Sequence, residues 1–259
     1  ATKYSVPENI PGMGKYKSVL DYEGKVAGSC IHCHMIQDHQ RREIRDAGEL
    51  LGLRELSPWP MPSVLGIQMD PKHRATVKHV ATDSAAAAAG LQTGDTLVKA
   101  NGQLLLSTAD LQWVLHRMDD AASLSLDVDR SGTSHQISVS PQKQWRASSD
   151  IMWRVSTWDL RRMALGGMRL QRIPDDERAE AGLPAPGKMA LHARNVGQYG
   201  EHAVAKKAGL KKGDIIVEFN GDSSDITESA LIKRITSTLK RKAMVTVAYL
   251  RDGKRDEAS

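Results

Sequence analysis

A fifteen-residue stretch occurs twice in this 259-residue chain: residues 88–102 read AAGLQTGDTLVKANG, and residues 207–221 read KAGLKKGDIIVEFNG. Eight of the fifteen positions are identical at a constant offset of 119. Self-similarity at a fixed spacing indicates two copies of one folding unit. We therefore expect two similar domains in this chain, with a connector between them and a separate segment before the first.

The repeated stretch has the same physical interpretation in both copies. A short helix ends at Gly90 or Gly209, because glycine tolerates the left-handed backbone of a helix C-cap. A Gly-Asp turn and an apolar strand follow. The strand closes with Asn-Gly at 101–102 or 220–221, a strong signal for a tight turn. Each copy is predicted to be a small unit of short strands and helices.

The pattern A-G-L-x-x-G-D-x-(I/L)-V-x-x-N-G resembles the PDZ domains of bacterial envelope proteins, including those attached to HtrA-type proteases. The resemblance implies an α+β fold class, with two PDZ-like, partly open β-barrels and their helices. It divides the chain into a helical segment at 1–62, a first PDZ domain at 63–140, a Trp-rich connector at 141–164 and a second PDZ domain at 165–259.

A PDZ groove lies between one strand and one helix. An incoming peptide adds to the strand edge, and its terminal carboxylate sits among loop amides. The resemblance implies these peptide-binding residues: Leu65, Gly66, Ile67, Leu111 and Leu115 in the first copy, and Gly166, Gly167, Met168 and Leu231 in the second. The same apolar residues also suit a domain core, so a groove covered from within the chain is the alternative.

The N-terminal segment contains the string Cys30-Ile-His-Cys33-His34, and these are the only two cysteines of the chain. Cys-x-x-Cys-His is the attachment signature of a c-type haem. Two residues between the thiols let one helical turn present both sulfurs to the porphyrin, and His34 then lies under the iron as the proximal ligand. The sequence therefore predicts one covalent haem c on Cys30, Cys33 and His34.

The motif does not define the second axial ligand of that iron. Met61, in the Pro-flanked string Trp59-Pro-Met-Pro62, is the best candidate, because this loop resembles the methionine-bearing loops of small cytochromes c. The predicted metal ligands are thus His34 and Met61. Three other interpretations of the cysteines stay open: a redox-active dithiol, a metal site completed by neighbouring histidines, and a plain disulfide.

Net charge and hydropathy limit the cellular compartment and the classes of partner that are expected for this chain. The chain carries a net charge of +5, but the basic cluster at 240–242 is interpreted as a solvated helix end, and no nucleic-acid partner is expected. No stretch approaches the ~20 apolar residues of a membrane span, so membrane association is expected only through a partner or a missing anchor. Haem attachment occurs outside the cytoplasm, and the chain shows no signal peptide. A mature periplasmic or exported protein is predicted.

The arrangement also resembles the C-terminal part of planctomycete thioredoxin/PDZ proteins, in which a Cys-x-His-Cys-His segment precedes two PDZ repeats. The main hypothesis is a mono-haem c-type cytochrome that transfers one electron to a redox partner and docks on proteins or peptide C-termini through its PDZ modules. The alternatives are a PDZ scaffold or assembly subunit with structural haem, and a haem-free thiol–disulfide or metal-binding protein. A carrier or binding subunit is expected rather than a catalyst. A protease is excluded because no scaffold for a Ser-His-Asp triad is recognisable.

Overall fold

The computed structural model describes residues 37–152, 157–178 and 183–259. The described chain begins with helix α1, at residues 37–46, and helix α2, Leu53–Leu56. Two α+β units follow, joined by a connector. In this part of the chain no helix combines the length and the apolar character needed to cross a membrane.

The first unit combines a two-stranded hairpin with a four-stranded antiparallel sheet of order β4-β3-β5-β6. Its strands are β1 (Ile67–Met69), β2 (Val77–Val80), β3 (Thr96–Ala100), β4 (Gln103–Leu104), β5 (Leu124–Arg130) and β6 (Thr133–Val139). Its helices are α3 (Ala85–Ala88) and α4 (Thr108–Arg117), and a 3₁₀ turn, Pro62–Leu65, leads into β1. One bridge, between Thr76 and Thr96, joins the β1–β2 hairpin to the sheet.

The connector contains a 3₁₀ turn, Trp145–Ser148, and helix α5, Thr157–Leu165. The second unit then builds one antiparallel sheet of order β11-β10-β9-β8-β7. Its strands are β7 (Met168–Arg172), β8 (Leu191–Val196), β9 (Ile215–Phe219), β10 (Val247–Arg251) and β11 (Lys254–Ala258). Its helices are α6 (Asp175–Arg178), α7 (Val204–Lys207) and α8 (Glu228–Thr238), with a 3₁₀ turn at Gly200–Ala203. The predicted α+β class with PDZ-like units is confirmed, and the sheets of the described residues stay open rather than closing into barrels.

Local sequence sets the start of the long helix in each unit. Before α4, the carboxylate of Asp110 accepts the amide of Ser107 at 2.8 Å, which completes a capping box. Before α8, the hydroxyl of Thr227 accepts the amide of Ala230 at 3.2 Å. These contacts fix which turn begins each helix and therefore which face packs on the core.

The same ion pair supports the repeated turn in both units. Arg130 Nε donates to Asp95 Oδ1 at 2.7 Å, and Arg251 Nε donates to Asp214 Oδ1 at 2.8 Å. Each aspartate is almost fully buried. Burial alone would raise the pKa of Asp95, but hydrogen bonds from Arg130 and the amide of Gln92 outweigh it, so the pKa lies below its usual value. The repeated Gly-Asp of the sequence thus anchors a charged contact as well as a turn.

Two buried cations hold the connector between the units. Arg146 is fully buried, and its guanidinium donates to the carbonyl oxygens of Leu115, at 2.9 Å, and Met118 at the end of α4. From α8 of the second unit, Lys233 Nζ donates to the carbonyl oxygens of Ala147, at 2.9 Å, and Ser149. Carbonyls at a helix end lack partners within the helix, and a cation satisfies them well. The 3₁₀ turn of the connector is therefore tied to the long helices of both units.

Candidate functional site

The first groove lies beside strand β1, close to helix α4. In the described residues β1 pairs with β2 alone, so its other edge has no strand neighbour. A β-bulge interrupts the pairing between Gln68 and Met69, and β7 has the same bulge between Arg169 and Leu170. Met69 and Leu170 are therefore equivalent positions, and their backbone groups face the same way in the two copies.

The predicted apolar residues of the first copy come together. Leu65, Ile67, Leu111 and Leu115 belong to one cluster and are at most 1% exposed. They form the buried floor between β1 and α4. That these residues contact a bound peptide remains a prediction.

Gly66 turns the chain from the 3₁₀ turn into β1. It has a φ of +84°, and its amide donates to the carbonyl oxygen of Ser63 at 3.0 Å. A Cβ at this position would lie 2.2 Å from the Cβ of Ser84. Glycine is thus required both by the left-handed backbone and by the close approach of α3.

The segment before the loop covers the C-terminal half of α4. The ring of Trp59 stacks on His116 and Trp113, with centroids 4.5 and 5.2 Å apart. Gln112 Nε2 donates to the carbonyl oxygen of Trp59 at 3.0 Å. Thr108 begins α4 at the opposite end and is only half-buried.

In the second copy, helix α5 of the connector fills the corresponding space. It packs against both α8 and β7, and its residues Leu160 and Ala164 share a buried cluster with Leu231. The helix runs directly into the predicted loop, where the amide of Gly167 donates to the carbonyl oxygen of Arg161 at 3.1 Å. The space between strand and helix is therefore occupied by the chain itself.

The remaining predicted residues of the second copy lie at the turn into β7, where Gly166 and Met168 also line a cavity with Ala205 and Phe219. Met168 is 2% exposed in the same cluster. Gly166 has a φ of +59°, and a Cβ there would lie 2.7 Å from the backbone nitrogen of Ala205. The structure thus places Met168 in one cluster with Leu231, and the two loop glycines against Ala205 and His202.

A buried ion pair closes the edge of β7. Arg161 Nε and Nη2 donate to the two carboxylate oxygens of Glu228 at 2.9 and 2.8 Å, and both side chains are 6% exposed. Glu228 Oε1 also accepts the backbone amide of Leu170 at 2.8 Å. This amide lies at the bulge position of the edge strand, so an internal carboxylate takes the place where an added strand would pair.

The first copy has no equivalent carboxylate. Thr108 follows the N-cap of α4 as Glu228 follows the N-cap of α8, so the two are matched first residues of their helices. Sequence reasoning missed Glu228 and Arg161. The replacement of Thr by Glu was the available signal, but acidic residues are common in first helical turns because they favour the helix dipole.

The predicted haem ligands Cys30, Cys33 and His34 lie outside the described residues, so haem c attachment stays a prediction. Met61 is described: it is half-buried, and its sulfur accepts a hydrogen bond from Gln112 Nε2 at 3.2 Å. Within residues 37–152, 157–178 and 183–259, no three His, Cys, Asp or Glu side chains gather as a metal site.

Four curated relatives match the chain, and all are named as probable periplasmic serine endoproteases of DegP-like type. The protein of Pseudomonas savastanoi pv. phaseolicola is 25% identical over 186 residues, which are 72% of this chain and 37% of the relative. That of Pseudomonas fluorescens is 24% identical over 180 residues, 70% of this chain and 36% of the relative. The chain thus spans little more than a third of the length of these relatives.

Solved structures give local matches. The HtrA3 PDZ domain bound to a phage-derived ligand (FGRWV) is 27% identical, with 30% of this chain and 83% of that chain covered and a TM-score of 0.27. The serine endoprotease from Yersinia pestis is 20% identical, with 29% of this chain and 27% of that chain covered and a TM-score of 0.26.

These relatives overturn two predictions. A c-type cytochrome that transfers one electron is wrong as the function of this chain, because the relatives are named as proteases and none as a cytochrome. The exclusion of a protease is wrong for the same reason. It rested on the absence of a recognisable triad scaffold, whereas the similarity extends over 72% of the chain.

A family model described as PDZ domain matches residues 63–140 and 201–259. The first match contains the whole β1–β6 unit, and the second contains α7, α8 and strands β9 to β11. Together the two matches include more than half of the chain. This protein belongs to the PDZ domain family.

Proposed function

We propose that this chain is a tandem-PDZ peptide-binding module in which the first copy holds the C-terminal segment of a partner polypeptide between β1 and α4. The single observation that carries the proposal is the difference at the strand edges. Both β1 and β7 lack a strand neighbour on their outer edge among the described residues, but in the second copy α5 packs on β7 and Glu228 accepts the edge amide of Leu170, whereas the first copy has Thr108 at the position of Glu228.

Backbone pairing provides the binding mode. A peptide added to the edge of β1 pairs with the backbone at Met69, whose equivalent, Leu170, has its amide satisfied internally. Main-chain hydrogen bonds of this kind give affinity, and alternate side chains enter the groove. The peptide carboxylate replaces the carbonyl oxygen of Ser63 as the acceptor of the Gly66 amide. A charged acceptor forms a stronger hydrogen bond than the poorly aligned contact of a 3₁₀ turn.

The second copy has a structural role in this proposal. Its groove is filled by α5, and its helix α8 anchors the connector through Lys233. It therefore supports the first copy instead of capturing a second peptide.

A second candidate function follows from the relatives. They are named as probable periplasmic serine endoproteases, which supports an extracytoplasmic location for this chain. In this version, the first groove presents client polypeptides to a serine endoprotease, as a part of the same protein or as its partner. The discriminating experiment is hydrolysis of unfolded casein by the purified chain, with and without a serine-protease inhibitor. Inhibitor-sensitive cleavage supports the protease version. Binding without cleavage contradicts protease activity of the purified chain itself, and it is the result expected for the scaffold version and for delivery to a partner protease.

The haem prediction is tested separately, by the absorption spectrum and intact mass of the protein from its native source. A Soret band with a mass excess of one haem would support attachment at Cys30 and Cys33. A colourless protein of unmodified mass would contradict it.

The central experiment measures binding of short, fluorescein-labelled, uncharged peptides to the full chain by fluorescence anisotropy. The peptides end in Val, Leu, Ile or Phe, each with a free carboxylate or as the amide. We expect the free acid to bind and the amide to bind more weakly. Thr108→Glu gives the first copy the carboxylate of the second, and should weaken binding about 5- to 30-fold by competing for the edge amide.

Ala109→Glu is the matched control for Thr108→Glu. It places the same charge on the neighbouring, exposed residue of α4, and should leave peptide affinity unchanged. Equal binding of acid and amide, or no binding of any of the peptides, would contradict the proposed function.

A further inference from the structure

The hairpin beside the first groove is basic. Residues 70–80 read DPKHRATVKHV, and Lys72, Arg74 and Lys78 are all exposed. No ion pair among the described residues uses any of these three cations. Unpaired, exposed charges of one sign at the rim of a site attract ligands of the opposite sign.

The single carboxylate of the hairpin is already engaged. Asp70 accepts the amide of Lys72 at 2.8 Å and lies 2.8 Å from the ring nitrogen Nδ1 of His73. The Lys72 amide, the His73 ring and the charge of Lys78 lower the pKa of Asp70 below its usual value. The hairpin therefore presents a net positive surface with its only acid tied down.

The direction of the bound peptide brings its upstream residues to this hairpin. The loop around Gly66 precedes β1, so a peptide whose carboxylate sits there runs antiparallel to β1. Its upstream residues pass Met69 and continue beside the turn at 70–76. A strand advances about 3.3 Å per residue, which places the residues about three to five positions before the C-terminus next to Lys72 and Arg74.

Side-chain alternation adds a second contact on the outer face of the hairpin. Gln68 faces outward on β1 and is paired across the hairpin with His79. Lys78 is the extra residue at the bulge and is exposed beside them. Alternate side chains of an added strand share this face, within reach of a lysine.

The second copy has this surface only in part: Arg194 is the extra, exposed residue at its bulge, as Lys78 is in the first copy. The turn differs more, because the stretch after β7 contains Asp175, Asp176 and Glu177, and Arg172 in β7 is paired with Asp225 at 2.6 Å. The basic turn with Lys72 and Arg74 therefore occurs beside the first groove, whereas a cation at the bulge occurs in both copies.

We infer that the first groove selects polypeptide C-termini that carry acidic side chains about three to five residues upstream of an apolar terminal residue. The inference rests on the proposed function, because it names the peptide class that the same groove takes. The basic hairpin provides the preference for acidic peptides. The edge of β1 and the loop around Gly66 provide the part of the affinity that all of the peptides share.

The test uses the full chain and three labelled peptides with the same apolar terminal residue and free carboxylate. Their upstream segments are Glu-rich, Gln-rich or Lys-rich. The Glu-rich peptide should bind about five- to tenfold more tightly than the Gln-rich one at low salt, and the Lys-rich one should bind weakest. The differences should shrink at high salt, because the charges of the rim are exposed and screened.

The double variant Lys72→Gln, Lys78→Gln should remove most of the Glu-over-Gln preference and leave the affinity for the Gln-rich peptide unchanged. The matched control, Lys212→Gln with Lys254→Gln, removes two exposed lysines of the second unit and should preserve the preference. Equal affinities for the three peptides, or a preference that survives the hairpin variant, would overturn the inference and leave peptide binding intact. Failure of every free-acid peptide to bind would overturn the proposed function itself.

Discussion

The two PDZ copies share their repeated turn, their Asp–Arg pair and the bulge of their edge strand, yet they differ in what lies beside that strand. Both edge strands lack a strand neighbour among the described residues, but in the second copy helix α5 packs on the strand and Glu228 accepts its edge amide. The difference depends on two residues, Arg161 in the connector and Glu228 at the start of α8. A groove of this fold is therefore closed by a segment that precedes the domain, without any change in the order of its strands.

The largest expected effect comes from making the second copy resemble the first. Glu228→Thr leaves Arg161 buried without its partner and the Leu170 amide without its acceptor. Breaking a buried ion pair in this way costs about 3–5 kcal/mol, which urea denaturation of the variant would measure. Adding Arg161→Met should recover a large part of this loss, because an apolar side chain of similar length replaces the stranded charge. A loss below about 1 kcal/mol for Glu228→Thr alone would contradict the described closure.

The loop glycines offer a second comparison, with a smaller effect. Gly66→Ala and Gly167→Ala each force alanine into a left-handed backbone, and each should destabilise the protein by about 2–4 kcal/mol in thermal or urea unfolding. The two clashes differ, because the new Cβ would meet the side chain of Ser84 in the first copy and the carbonyl oxygen of His202 in the second.

Ser84→Gly separates these two cases. It removes the clashing atoms and should restore part of the stability of Gly66→Ala, whereas no side-chain change at His202 can relieve a backbone clash. Full stability of Gly167→Ala would show that the loop of the second copy is looser than described.

The shared ion pair should give the smallest effect and the same effect in both copies. Asp95→Asn and Asp214→Asn each remove the charge that holds Arg130 or Arg251, at a cost of about 1–3 kcal/mol at neutral pH. The lowered pKa of Asp95 means that its contribution is present above the pKa of about 3.9 of an unfolded aspartate and is lost as pH falls through the lower folded value.

Unfolding of the wild type and of Asp95→Asn should therefore converge as the solution is acidified. A constant difference in unfolding free energy down to the lowest accessible pH would contradict the assigned role of Asp95. Unequal losses of unfolding free energy for Asp95→Asn and Asp214→Asn at neutral pH would mean that the shared ion pair stabilises the two units to different extents.

The fold was predictable because its signals are local. Gly90, Asn101 and their counterparts mark turns by backbone chemistry alone, and the repeat shows that the marks belong together. The filling of the second groove was not predictable, because α5 lies outside the repeat. In addition, nothing in the sequence distinguishes the buried Arg161 from a surface arginine. The cytochrome hypothesis was wrong because it extended a five-residue motif at 30–34 to the function of the whole chain. The relation to periplasmic proteases resides instead in similarity spread over 186 residues.

The contacts of Arg146 and Lys233 have a consequence for how the molecule comes apart. Arg146 of the connector donates to carbonyl oxygens at the end of α4, and Lys233 of α8 donates to carbonyl oxygens of the connector. Loss of either long helix would therefore leave buried polar groups of the connector without partners. Two sequence repeats that could each be a separate folding domain are thereby joined into one cooperative unit, and heating should show a single calorimetric transition for both.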